Sequence, residues 1–321
     1  MTQAQTDAVA LVFPGQGAQF VGMGGRLLED SPDAKRLLHA ADDILGIPLS
    51  RIIQEGPEDA LNDTAITQPA ILAVTVALWQ AVKAQLGGRP PVACVAGHSL
   101  GEFSALTVTR ALDYEDAIRL VRRRGKAMAA AGQSAPGGMG VILGLDDEEV
   151  QAIVDDVHGE SPGVWVANLN CPGQVVISGR QKPLQKALSL AADRGAKRAM
   201  PLAVSVASHT PLMEDATQAL SEALKDVALQ EPWAPVVCNA WAQPIQSPDD
   251  IRQALLEQLT HPVQWTQSVQ RMHQMGVRTM LEIGPKAVLG GLVRRIARDI
   301  GRLAVTNLDE AEALQAQGLT A

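Results

Sequence analysis

A serine flanked by glycines, in Gly97-His98-Ser99-Leu100-Gly101-Glu102, follows directly on the apolar run Val92-Ala93-Cys94-Val95-Ala96. A short buried strand, then Gly-x-Ser-x-Gly, then a helix-forming stretch is the pattern of a nucleophile elbow. Its glycines permit a turn sharp enough to expose the serine hydroxyl above a sheet edge. The Leu100 amide, at the start of the next helix, faces the point where an oxyanion would form. A serine needs a base to act as a nucleophile at neutral pH, and histidine suits that task. His209, in Val206-Ala207-Ser208-His209-Thr210-Pro211, is the best placed by local sequence, in a loop that opens onto a helix. His98 adjoins the serine but points elsewhere in so tight a turn, so it reads as a packing or hydrogen-bonding residue. His39, His158, His261 and His273 read as surface residues. The chemistry this set points to is acyl transfer through a serine ester.

Arg124 is the second chemical signal. On the helix around Leu120-Val121-Arg122-Arg123-Arg124-Gly125-Lys126-Ala127-Met128, its i−4 and i+4 neighbours are Leu120 and Met128, so it lies on the apolar stripe. An inward-facing arginine needs an anion. That anion is either a structural carboxylate in a buried ion pair or a substrate carboxylate held in a bidentate fork.

These residues need a scaffold. The run 8–13 reads as a buried parallel strand ending in a glycine-containing loop at 14–19. Helical patterning covers 33–45, 68–86 and 114–131, and further strands fall at 235–239 and 279–283. Between 133 and 203 the rhythm changes to strands at 139–143, 164–169, 174–178 and 196–204, with helices at 146–157 and 181–194. That order is βαββαβ, a ferredoxin-like split unit. The expected fold class is therefore α/β: an α/β-hydrolase-like parallel sheet domain built from 1–132 and 205–321, with a ferredoxin-like subdomain inserted at 133–204. The tail from Asp309 carries no clear signal, and no internal repeat is visible.

The 321 residues suffice for a large core, and 46% hydrophobic with 19% charged residues is ordinary for a globular enzyme. With 35 acidic against 27 basic side chains the net charge is −8, which argues against nucleic acid or an anionic membrane as partner. No basic segment followed by an apolar one opens the chain, so no secretory signal is expected. The longest apolar stretch, 70–79, is about half a membrane span and reads as a buried helix. Cys94, Cys171 and Cys238 lie far apart, which suits a reducing cytoplasm and neither a disulfide framework nor a zinc site. No metal is implied by the histidine spacing either.

A wider series of motifs stands in one order: Phe13-Pro14-Gly15-Gln16-Gly17-Ala18-Gln19, Thr67-Gln68-Pro69-Ala70, the Ser99 elbow, Arg124-Gly125-Lys126 with Met128, Asn168-Leu169-Asn170 and Pro172-Gly173-Gln174. Ser208-His209, Asn239, His261-Pro262-Val263-Gln264-Trp265 and Glu282-Ile283-Gly284-Pro285 complete it. Over about residues 8–307 the series resembles the malonyl-CoA:acyl carrier protein transacylases and the acyltransferase domains of fatty acid and polyketide synthases. The resemblance implies that Ser99 receives the malonyl group, that His209 is its base, and that Gln16 and Leu100 supply backbone oxyanion donors. It implies that Arg124 binds the malonate carboxylate and that the Gln264 main-chain carbonyl orients the histidine in place of a triad acid. Gln68, His98, Met128, Asn168, Asn170 and Ser208 would lie near the substrate. Malonyl-CoA is then a substrate and not a cofactor, no cofactor is called for, acyl carrier protein is the partner, and the enzyme is a cytoplasmic monomer of fatty acid biosynthesis.

The nearest alternatives are a discrete acyltransferase of a polyketide pathway and the malonyl-loading subunit of a malonate decarboxylase. A serine esterase or thioesterase would share the elbow but would not require Arg124, and a non-catalytic carrier-binding module would not require the intact set. Val206-Ala207-Ser208-His209 matches neither the His-Ala-Phe-His nor the Tyr-Ala-Ser-His form of modular polyketide enzymes, so malonyl against methylmalonyl use stays open at this stage. Because carrier proteins are acidic, docking calls for a local basic face: Lys182, Lys186, Arg194, Lys197 and Arg198, or Arg294, Arg295 and Arg298.

Overall fold

A computed structural model describes residues 8–314. The ends of the expected larger domain, 1–7 and 315–321, and with them part of the readings of the N-terminus and of the tail, lie outside the described residues. The chain opens with β1 (Ala8–Phe13), followed by α1 (Gly25–Asp30), α2 (Pro32–Leu45), α3 (Leu49–Glu55), α4 (Glu58–Asn62) and the long α5 (Thr64–Gln85). Then come β2 (Val92–Gly97), α6 (Leu100–Val108) and α7 (Tyr114–Ser134). The middle of the chain holds β3 (Gly137–Leu143), α8 (Asp147–Glu160), β4 (Val164–Cys171), β5 (Gln174–Arg180), α9 (Gln181–Asp193) and β6 (Arg198–Pro201). It closes with α10 (Glu214–Leu224), β7 (Val236–Val237), β8 (Pro244–Ile245), α11 (Pro248–Glu257), α12 (Trp265–Gln274), β9 (Val277–Ile283), α13 (Leu289–Ile296), β10 (Gly301–Val305) and α14 (Leu308–Ala313).

Two separate sheets result. The larger has the order β10-β9-β1-β2-β7-β8, parallel throughout except for the antiparallel pair β7–β8 at one edge. The smaller, β4-β5-β3-β6, is antiparallel, and its elements follow one another as β-α-β-β-α-β. Each face of the larger sheet has its own apolar cluster, one around Leu11, Phe13 and Leu281 and the other around Val12, Cys94 and Met280. A third cluster lies under the smaller sheet. The sheets are joined where β4 extends its pairing to the chain before α12: the Leu169 amide donates to Val263 O and the Val263 amide to Ala167 O.

Local chemistry explains the elements that matter to the site. The Asp113 side chain caps α7 by accepting from the Glu115 amide, and Glu115 and Asp116 in the first turn suit the helix dipole. The buried face of α7 runs through Ala117, Leu120, Val121, Arg124 and Met128, the i, i+3, i+4, i+7, i+11 pattern of a helix stripe. Gly125 lets α7 cross the start of α5, since a Cβ there would stand 2.6 Å from Thr64 O. α5 begins at Thr64, before the expected start at 68, because Asp63 caps it and Pro69 sits inside it. It is long and apolar enough to cross a membrane by length and composition, yet 83% of its most apolar window is buried inside the protein. The strand expected at 196–204 is confined to Arg198–Pro201, and β10 and the two-residue β8 have no counterpart in the sequence reading.

Candidate active site

The turn after β2 holds Ser99 at φ 50°, ψ −105°, a region that L residues rarely adopt. Its neighbours leave no room for larger residues. A Cβ on Gly97 would stand 1.9 Å from the Gly101 carbonyl, and one on Gly101 would stand 2.1 Å from Phe13 O. Gly15, in the loop after β1, approaches until its missing Cβ would be 2.3 Å from His98 O. Asn239 pins the turn from the end of β7. Its Oδ1 accepts from the Ser99 amide at 2.6 Å while its Nδ2 donates to Gly97 O at 2.6 Å.

His209 reaches the serine from the loop that follows β6. Its Nε2 lies 2.9 Å from Ser99 Oγ, and its Nδ1 donates to Gln258 O at 2.8 Å. That donation fixes the tautomer: Nδ1 carries the hydrogen, so Nε2 is free to accept the serine proton. The ring is buried, and burial followed by the nearby Arg124 charge pushes its pKa down to about 3. A neutral, oriented acceptor on a serine hydroxyl is the geometry of nucleophile activation.

Arg124 is 1% exposed and forms no ion pair among the described residues. Its Nη2 donates to Ser99 Oγ at 3.1 Å and to Gln258 Oε1 at 2.9 Å, and its Nη1 donates to Gln68 Oε1 at 2.8 Å. Nε has no partner, and the guanidinium lies over the Phe103 ring at 5.5 Å. Burial lowers its pKa to about 10, against the pull of the Glu102 charge, so it remains a cation at neutral pH. A buried cation held by neutral amides beside a nucleophile is suited to a carboxylate arriving with the substrate.

The other expected residues divide. Gln68 holds Arg124 and donates to the Met128 sulfur at 3.4 Å, which accounts for both. His98 donates from Nε2 to Asn170 Oδ1 at 2.9 Å and packs against Trp265. Asn168 and Ser208 are buried, and neither side chain hydrogen-bonds to Ser99 or His209. The amides of Gln16 and Leu100 make no hydrogen bond among the described residues. Gln16 and His98 share a cleft of about 480 Å³ with Gly15, Asn170, Leu292 and Arg295. Of the histidines read as surface, His158 and His273 are half-buried, the first packed edge-on to Trp165.

Gln264 requires correction. The carbonyl on His209 Nδ1 belongs to Gln258, just after α11. Gln264 is the N-cap of α12, where its own carbonyl accepts from the Ser268 amide at 2.9 Å and from Ser268 Oγ at 2.8 Å. A carbonyl committed to the first helical turn has no lone pair aimed at the imidazole. Sequence reasoning passes over Gln258, and it names Glu102 and Asn239 only as motif members. Glu102 is buried, accepts from Gln258 Nε2 at 2.7 Å and from the Asn239 amide at 3.1 Å, and is raised to about 7 by burial. The one available signal was a carboxylate in the first turn of an otherwise apolar helix.

A family model described as the acyl transferase domain matches residues 10–315. The malonyl CoA-acyl carrier protein transacylase of Bacillus subtilis (strain 168) is 42% identical over 304 residues, 95% of either chain. That of Escherichia coli (strain K12) is 42% identical over 307 residues, covering 96% of this chain and 97% of its own. Among solved structures, the malonyl CoA-acyl carrier protein transacylase of Coxiella burnetii superposes with a TM-score of 0.93 at 36% identity, over 98% of both chains. A malonyl-transacylase in complex with its type II PKS acyl-carrier protein superposes at 0.92 with 41% identity, over 97% of this chain and 99% of that one.

Proposed function

The chain belongs to the acyl transferase domain family, and from that premise we propose how it moves a malonyl group from malonyl-CoA to the phosphopantetheine thiol of acyl carrier protein. The carrying observation is the juxtaposition of three groups: Ser99 Oγ lies 2.9 Å from the His209 imidazole and 3.1 Å from a buried guanidinium with no direct ion pair among the described residues.

Malonyl-CoA places its free carboxylate on Arg124. Ser99 Oγ attacks the thioester carbonyl as His209 Nε2 takes the hydroxyl proton, and the imidazolium is steadied by its Nδ1–H bond to Gln258 O. The Gln16 and Leu100 amides receive the oxyanion. The intermediate collapses with loss of the CoA thiolate, which takes the proton from Nε2 and leaves a malonyl ester on Ser99. The carrier thiol then gives its proton to His209 and attacks that ester, and the serine oxygen recovers the proton as it departs. One acyl bond breaks for each that forms, so the exchange needs no cofactor. His98, tied to Asn170, and Gln68, tied to Met128, shape the walls around it.

The same reading takes the larger sheet with 1–132 and 205–321 as an α/β-hydrolase-like domain and 133–204 as a ferredoxin-like insertion. The order β4-β5-β3-β6 supports the second part. It also takes the enzyme as a cytoplasmic monomer feeding fatty acid biosynthesis.

The test is an intact-protein mass after incubation with malonyl-CoA and no carrier. A malonyl adduct is expected on the native protein and not on Ser99→Ala, and added carrier protein should discharge it. Steady CoA release without carrier, with no adduct, would show a hydrolase instead.

A further inference from the structure

Glu102 takes part in no step of that route, yet it stands behind all of its groups. Its side chain lies in the first turn of α6 and is 1% exposed. Oε2 accepts from Gln258 Nε2 and from the Asn239 amide, while Oε1 has no partner. Oε2 accepts whether or not Oε1 carries a proton, so the Gln258 amide turns its NH2 toward Glu102. The same NH2 also donates to Ser99 O at 3.0 Å, which leaves Oε1 facing Arg124 Nη2. With the amide reversed, Gln258 N–H groups would meet guanidinium N–H groups, and its oxygen would face Glu102 and the Ser99 carbonyl. On its other side, Glu102 ties down the backbone of Asn239, whose side chain grips the Ser99 turn.

We propose that Glu102 is a positioning residue for recognition of the substrate carboxylate: together with the Ser99 carbonyl it sets the polarity of the Gln258 amide that holds Arg124 against Ser99, and its charge competes with the incoming carboxylate for that cation. The inference rests on the reading of Arg124 as the malonyl clamp. The titratable groups around Glu102 are Arg124 on α7, the Cys238 thiol after β7, and, across Gln258 and Ser99, His209 and His98. Burial pushes the thiol up to about 12 and both imidazoles down, so these stay neutral near pH 7 while Arg124 stays charged. Glu102 alone titrates there, raised by burial against its hydrogen bonds from Gln258 and Asn239 and the Arg124 charge. Below its pKa Glu102 is neutral and Arg124 is left to the substrate. Above it two carboxylates share one cation, so affinity for malonyl-CoA falls as pH rises.

The experiment measures binding of malonyl-CoA and acetyl-CoA by calorimetry at about pH 6 and about pH 8. It uses the full chain carrying Ser99→Ala, alone and combined with Glu102→Gln, Glu102→Leu or Arg124→Ala. Taking the malonyl-to-acetyl ratio cancels ionisation of the coenzyme phosphates. With Glu102 present the ratio should fall about tenfold from the lower to the higher pH, one pKa unit of coupling. In Glu102→Gln, whose amide oxygen can take the same two hydrogen bonds, the ratio should be flat. Glu102→Leu, which accepts from neither Gln258 nor Asn239, should lower the malonyl preference at both pH values. A flat ratio with Glu102, or a slope that survives in Glu102→Gln, overturns the proposal. A ratio unmoved by Arg124→Ala overturns the clamp itself.

Discussion

At the scale of single residues, the site works by withholding water and charge from its groups. Neutral imidazole persists at His209 because burial and the adjacent Arg124 disfavour the imidazolium. An ordinary histidine loses its basic form as pH drops through about 6.5. His209, lowered to about 3, keeps it well below that. With acetyl-CoA as donor, kcat/KM for acylation of Ser99 should therefore stay level from about pH 7 to about pH 5. An acid limb centred near 6.5 in that profile would show a solvated base. Arg124→Ala should cut malonyl acylation about a hundredfold, equivalent to about 3 kcal/mol for a charge-assisted pair, with much less effect on acetyl transfer. Stopped-flow acylation rates for the two donors decide it. Ser99, His209 and Arg124 were legible in the sequence because their side-chain chemistry fits only a few roles. Gln258 was not, since its contact with His209 is made by a main-chain carbonyl, which any residue carries. Only the fold could show that Gln264 spends its carbonyl on capping α12.

Among the elements, the Ser99 turn depends on backbones packed closer than side chains allow. Gly101→Ala should destabilise the protein by about 3 kcal/mol or more, because the new Cβ would meet rigid backbone at Phe13 O. Gly159→Ala, in α8 with nothing within 4 Å of the added Cβ, should instead stabilise it by about 0.5–1 kcal/mol. Urea midpoints of the two variants, read against the native protein, settle both signs. Helices with strong caps and clear stripes, such as α2 and α7, were legible nearly to their ends. The start of α5 was missed because Pro69 suggests a beginning, whereas Asp63 caps the helix a turn earlier. β10 was missed because Gly301–Val305 has neither an unbroken apolar run nor clean alternation, and it forms only by pairing with β9.

In the whole molecule, docking of the expected acidic carrier on a chain of net charge −8 calls for a local basic face. Two of the expected basic residues are already engaged, since Lys186 pairs with Glu160 and Arg194 with Asp156. Arg295 donates to Pro172 O at 2.6 Å, bridging α13 to the β4–β5 turn at the rim of the cleft. Lys182, Lys197, Arg198, Arg294 and Arg298 remain exposed and form no ion pair among the described residues. Charge reversal at Arg294, on α13 near the cleft, should raise the KM for carrier protein several-fold and more steeply at low salt, leaving the rate of Ser99 acylation by malonyl-CoA unchanged. A carrier KM unmoved by Arg294→Glu places docking elsewhere. The two sheets themselves were legible from the change in strand rhythm after 133, but their attachment through Leu169 and Val263 was not, because that pairing joins segments far apart in sequence. The site likewise spans great lengths of chain. Ser99 and His209 are 110 residues apart, with the whole smaller sheet between them, and the carbonyl that steadies the histidine comes 49 residues later still. A chain emerging from the ribosome thus exposes its serine long before it can complete the base, and a fragment ending before Gln258 carries an unactivated hydroxyl. Reactivity toward malonyl-CoA is therefore expected only once the chain through Gln258 has been synthesised and folded against the Ser99 turn, which makes it a late acquisition of the folding chain.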